Sequence, residues 1–144
     1  MEIKEVVLSV VVVCFLAQLF FMLFFYLRVS IHKNNQDKKI CYLLDNEFNK
    51  TQKNNLIKFC ENSDFIIWDG MFTENELKTK KAWGHSSIEQ GLKFAEDLDL
   101  KKLIISHHAP DRTDEQIDKI SAKYKNSNLI FAQENKEISF YGKT

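Results

Sequence analysis

Two short apolar runs in this chain end in side chains that bind protons or metals. Phe65-Ile66-Ile67-Trp68 ends in Asp69, and Leu103-Ile104-Ile105 ends in Ser106-His107-His108. Between them, Gly84-His85-Ser86-Ser87 opens a segment with Ile88, Leu92, Ala95 and Leu98 at helical spacing. Strand, helix, strand at these intervals is a βαβ unit, so the two strands should be parallel neighbours. Loops that follow the strands of such a sheet gather on one edge, where ligands bind. Asp69, His85 and His107 are therefore expected to converge although they are far apart in sequence.

The flanking sequence extends the same alternation. Residues 26–32 and 39–44 read as a hairpin closed by Asn34-Asn35-Gln36-Asp37. Residues 49–62 read as an amphipathic helix carrying Leu56, Ile57, Phe59 and Cys60, and 75–81 as a helical turn. Ser86 or Ser87 is a helix N-cap for 87–98, with Glu89 and Gln90 near the third helical position. Strand 102–106, helix 113–125 and closing strands at 128–132 and 137–141 complete the chain. The class is α/β.

Residues 6–27 carry no charge, and only Ser9 and Gln18 are polar. That run suits a bilayer-spanning helix and is too long for an ordinary strand. If Tyr26 already belongs to a strand, the span is 6–25. Basic residues cluster after it, at Arg28, Lys33, Lys38 and Lys39, which places the following domain in the cytoplasm of a single-pass protein. Buried strands in a cytoplasmic protein are the alternative. A cleaved signal peptide fits less well, because the leading residues are not basic and no small-residue cleavage site follows. The expected domains are thus a hydrophobic segment 1–25 and a folded domain 26–144.

Lys and Arg, 20 together, balance 20 Asp and Glu, so bulk charge gives no argument for nucleic-acid binding. The cysteines Cys14, Cys41 and Cys60 have no metal-type spacing, and Cys41 and Cys60 read as small buried hydrophobes.

Asp45, Asp69 and His107 each follow an apolar run, and carboxylate oxygen and imidazole nitrogen suit zinc, manganese or iron. By themselves, His107 and His108 read more readily as solvated or hydrogen-bonded loop histidines than as metal ligands. His85 precedes a helix N-terminus, whose free N–H groups suit an anionic phosphate. It then acts as a phosphate contact or general acid. Alternatively Gly84 permits the turn, Ser86 caps the helix and His85 packs. Asp69 and Glu76 are either supports that orient His85 or a ligand, or solvated loop acids.

Four ordered motifs carry a family resemblance: Tyr42-Leu43-Leu44-Asp45-Asn46-Glu47; Asp69-Gly70-Met71-Phe72 followed by Glu76; Gly84-His85-Ser86-Ser87; and Ser106-His107-His108-Ala109-Pro110. Across 26–144 the chain resembles the C-terminal half of metallo-β-lactamase-fold hydrolases, in particular their phosphodiesterase and ribonuclease Z-like branch. The resemblance implies half of an αββα sandwich over 26–144, and the hydrophobic N-terminal helix read from the apolar run precedes it. It implies a metal-dependent, phosphodiester-cleaving hydrolase, with Asp45 and His107 as ligands of a divalent metal, zinc before manganese or iron. His85 and Asp69 are implied at the catalytic position, with His85 at substrate distance outside the metal's ligand shell. Enzymes of this kind also need an H-x-H-x-D-H cluster, which is absent: the four histidines are His32, His85, His107 and His108. A two-metal site therefore requires a second chain carrying the N-terminal half of the fold. The competing expectation is a non-catalytic, membrane-tethered or degenerate α/β domain, the product of a truncated or split gene.

Overall fold

A computed structural model of the chain describes residues 27–33, 36–124 and 128–139. Five strands form one sheet in the order β1 to β5: Leu27–Lys33, Gln36–Leu43, Phe65–Asp69, Lys102–Ser106 and Leu129–Phe131. β1 and β2 are antiparallel, with Lys33 opposite Gln36. Gln36 and Asp37, expected in the turn, thus belong to β2. β2, β3, β4 and β5 are all parallel, with Trp68 opposite Ile105 and Asp69 opposite Ser106.

Four helices join the strands: α1 (Lys50–Cys60), α2 (Glu74–Leu77), α3 (Ile88–Asp97) and α4 (Asp114–Ser121). Their starts are encoded locally. Asn49 accepts hydrogen bonds from the amides of Thr51 and Gln52, and Thr73, Ser87 and Thr113 form capping boxes with Glu76, Gln90 and Gln116. The cap of α3 is thus Ser87, which leaves Ser86 for another task.

Alternate residues of the parallel strands supply the core. Cys41, Leu43, Ile66, Trp68, Leu103 and Ile105 pack against Leu56 and Cys60 of α1 and Ile88 and Phe94 of α3. Trp68 is the keystone of this layer. Its ring lies 5.3 Å from that of Phe94 and 5.5 Å from that of Phe48, and its indole N–H donates to the Ser87 carbonyl at 2.9 Å. Gly91 makes the fit possible, because a Cβ there would stand 2.6 Å from the indole. The opposite face of the sheet carries an apolar row in register, Tyr42, Ile67, Ile104 and Ile130.

The expected strand at 137–141 does not form through Ser139, and 140–141 lie outside the described residues. After β5 the chain turns instead, with Lys136 N–H donating to the Gln133 carbonyl and Asn135 left-handed at φ 60°. Helix α4 also stops earlier than expected, at Ser121. The proposed span 6–25 lies outside the described residues. Among the described residues, no helix is long and apolar enough to cross a membrane.

Candidate metal centre

Because β2, β3 and β4 are parallel, their C-terminal ends share one edge, and the chain places Asp45, Asp69 and His107 there. Asp69 is the last residue of β3, while Asp45 and His107 lie just beyond β2 and β4. Both of the latter are left-handed, at φ 49° and 57°. Such backbone costs roughly 1 kcal/mol or more in a residue with a side chain and persists only where the surroundings impose it. Gly70 assists, since its N–H donates to the Ser106 carbonyl at 2.9 Å and a Cβ there would strike Ile105.

Asp69 is fully buried and forms the hub. Its Oδ2 lies 2.8 Å from His85 Nδ1 and 3.4 Å from His107 Nδ1, and accepts from the Asn46 amide at 3.4 Å. Its Oδ1 accepts from the Met71 amide at 3.1 Å. Asp45 Oδ1 lies 3.8 Å from the same His107 nitrogen. The two imidazoles meet edge to face with centroids 4.9 Å apart. One donor atom each from Asp45, Asp69, His85 and His107 falls within 4.8 Å of the others. Donors at about 2 Å from a shared ion stand at most about 4 Å apart, so the set needs to contract by less than about 1 Å.

The donor set fits a divalent cation on a further ground. His107 Nδ1 is buried and makes no hydrogen bond, although two carboxylates are close. At 3.4 Å and 3.8 Å the contacts are electrostatic rather than well-formed hydrogen bonds. A buried nitrogen lone pair or N–H between two acids is costly unless a proton or a metal is shared there.

The charges are coupled accordingly. Burial alone would raise the Asp69 pKa, but contacts from His107 and His85 and the Met71 amide outweigh it and hold the carboxyl below its usual value. The Asp69 carboxylate raises the His107 pKa against the opposing effect of burial, with help from Asp45. His108 turns away. Its ring stacks on Phe131 at 5.9 Å, and burial followed by the Arg112 charge lowers its pKa.

The structure brings together all four residues singled out from the sequence. His85 touches Asp69 directly, as expected of a residue that Asp69 orients, and one of its ring nitrogens falls within the same group of possible ligand atoms. Glu76 does not reach His85. Its carboxylate accepts from the Thr73 amide at 2.7 Å and from Arg112 Nη2 at 2.8 Å, and Arg112 Nη2 also donates to the Met71 carbonyl.

Three supports were not read from the sequence. Glu47 grips the turn before His85, accepting from the amides of Ala82 and Gly84 at 2.9 Å and 3.0 Å. Ser86 donates to the Asn46 carbonyl and accepts from the Phe48 amide, tying the His85 turn to the Asp45 loop. Arg112 ties the loop after β4 to the loop after β3. The available signal was topological: acids and bases in loops that follow parallel strands must meet.

No protein-family model and no curated protein matches the sequence. Solved structures do match in fold. Human tRNase Z, short form (ELAC1), is similar over 79% of this chain and 41% of its own, with 20% identity and a TM-score of 0.55. A diphosphatase from the PhnP family is similar over 84% of this chain and 46% of its own, with 15% identity and a TM-score of 0.51. Both are metallo-β-lactamase-fold enzymes, and the chain has part of that fold. It spans less than half the length of either neighbour.

Proposed function

We propose that this chain is the C-terminal half of a metal-dependent phosphodiester hydrolase, completed by a second chain that carries an H-x-H-x-D-H cluster. The observation that carries the reading is the convergence of Asp45, Asp69, His85 and His107 at the C-terminal edge of a parallel sheet. The fold neighbours are a tRNase and a diphosphatase, both named for cleaving phosphate linkages. Asp45 and His107 would hold the ion. When bound, a divalent ion neutralises phosphate charge and makes a water molecule acidic enough to attack. Asp69 fixes the ring of His85 through Nδ1, which leaves Nε2 as the nitrogen that can give a proton to a departing oxygen. Glu47 and Ser86 hold the turn that carries this ring.

The test is zinc and manganese titration of the full chain by calorimetry, with and without a second chain supplying H-x-H-x-D-H, followed by hydrolysis of a chromogenic phosphodiester. The reading expects metal uptake that His107→Ala removes, and hydrolysis only in the mixture. Absence of uptake in both settings would overturn it. The non-catalytic reading is favoured by one observation, that His32, His85, His107 and His108 form no H-x-H-x-D-H cluster in the sequence. It expects no hydrolysis in any mixture. Residues 6–25 are proposed as a membrane anchor on their uncharged, mostly apolar sequence. Retention in carbonate-washed membranes is the expected result, and release of the intact chain would refute the anchor.

A further inference from the structure

Trp83 stands on the rim of the site with 60% of its surface exposed, whereas the other tryptophan, Trp68, is fully buried. A single exposed aromatic residue is ordinary on a protein surface. Three features set this one apart. The peptide on each side of it is fastened, because the amides of Ala82 and Gly84 both donate to the Glu47 carboxylate. Ala82 and Gly84 are left-handed at φ 63° and 85°, a conformation that this grip maintains. The indole is therefore held out by the backbone rather than pulled in by the core.

The second feature is charge. Lys80 Nζ lies 4.7 Å from the centroid of the Trp83 ring and 5.1 Å from that of Phe72. The third is continuity with the donor cluster. Trp83 meets Phe72 edge to face at 6.3 Å, and Phe72 meets His85 in the same way at 6.1 Å. The cleft beside Phe72 presents Lys80, Arg112 and Lys119 against Glu76 and Asp111, and Glu76 is already engaged by Arg112. Arg112 has a side-chain exposure of 6%, and its buried Nη1 makes no hydrogen bond.

We propose that Trp83 and Lys80 form a nucleotide subsite, in which a base stacks on the indole in place of the Lys80 ammonium now over the ring, and the ammonium pairs with the phosphate of the same nucleotide. A flat π surface next to a cation is how proteins hold single-stranded nucleotides without reading their sequence. The subsite rests on the phosphodiester reading for its relation to His85, and it narrows the substrate class to nucleotides or single-stranded nucleic acid.

Tryptophan fluorescence of the full chain in mild detergent tests it, with a chelator present so that hydrolysis plays no part. Adenosine 5′-monophosphate should quench saturably, while ribose 5-phosphate and inorganic phosphate should not. Trp83→Phe should abolish the quenching because only buried Trp68 remains to report. Trp83→Ala should weaken nucleotide binding by calorimetry by about tenfold, the loss typical of one stacked base. Lys80→Ala should weaken the nucleotide but not adenosine. Equal quenching by ribose 5-phosphate would reduce the site to a phosphate contact and overturn the stacking. No quenching by the nucleotide, with a blue shift on anionic lipid vesicles, would assign Trp83 to a membrane surface instead. Failure of hydrolysis with quenching intact would overturn the proposed function and leave the subsite standing.

Discussion

Strand β3 has an aspartate at each end, and the two are handled in opposite ways. Asp64, just before the strand, is clamped by Lys101 Nζ at 2.7 Å, Lys38 Nζ at 3.3 Å and the Lys39 amide at 3.2 Å. Asp69, at the other end, faces two imidazoles and two amides. Burial pushes both pKa values up, and in both the partners win and hold the carboxyl low. The difference lies in the partners. Lysine is a fixed point charge that closes the account at Asp64. Imidazole can release its proton and turn a lone pair to a metal or a substrate. One strand thus shows a carboxylate used as a fastener and a carboxylate used as a hub.

The sharpest way to break this comparison is Asp69→Ala. The carboxylate is fully buried, so its loss leaves two amides and the His85 ring nitrogen without their hydrogen-bond partner and His107 without its nearer carboxylate. A destabilisation of about 3 kcal/mol is expected, within the range for breaking a buried charged network. Urea unfolding in chelator measures it, and Asp69→Asn should recover part of the loss by keeping an acceptor oxygen. A loss below about 1 kcal/mol would show that Asp69 is not the hub.

Asp64→Asn should cost less, about 1 kcal/mol at neutral pH, because Lys101 is 72% exposed and solvent screens its attraction. High salt should shrink this effect and leave that of Asp69→Ala largely intact. The pH sign follows from the lowered carboxyl. Its stabilising contribution is present above the ordinary value of 3.8 and is lost as pH falls through the lower folded value. Asp64→Asn should therefore remove part of the acid unfolding limb. If it does not, the lysine clamp is ornamental.

Much of the sheet was legible because parallel strands buried on both faces read as bare apolar runs, and β3 and β4 are of that kind. Asp69 and His107 were legible because they terminate those runs. The hairpin register was less so, since Asn34 to Asp37 offered several turn lengths, and β2 begins already at Gln36. No strand forms over 137–139, the described part of the expected 137–141, because local β propensity says nothing about whether a partner exists at that edge. The hold of Ser86 and Glu47 on the turn that carries His85 was not legible, because both act on loops distant in sequence. Glu47 and Arg112 act through backbone atoms of distant loops, and no local pattern encodes such contacts. The hub role of Asp69 was hidden for the same reason, since its donors come from the loops after β2, β3 and β4.

The smallest expected effect separates two adjacent histidines in metal-free protein. The His107 pKa is raised by Asp69, so its contribution to stability is full below the ordinary 6.5 and is lost as pH rises through the higher folded value. The His108 pKa is lowered, first by burial, so its neutral form is favoured. Its contribution is full above 6.5 and is lost as pH falls through the lower folded value. The His108 slope therefore lies below 6.5 and the His107 slope above it, and the two run in opposite directions. His107→Ala should leave the His108 slope exposed, so that stability rises with pH, and His108→Ala should give a fall. Each change is expected to stay within about 1 kcal/mol, since both rings are only partly buried. Denaturant unfolding in chelator on both sides of pH 6.5 is the measurement. Asp64→Asn should alter neither slope, because no imidazole faces that end of the strand among the described residues. If His107→Ala and His108→Ala shift the slope in the same direction, His107 is not held by Asp69, and the contrast between the two ends of β3 collapses.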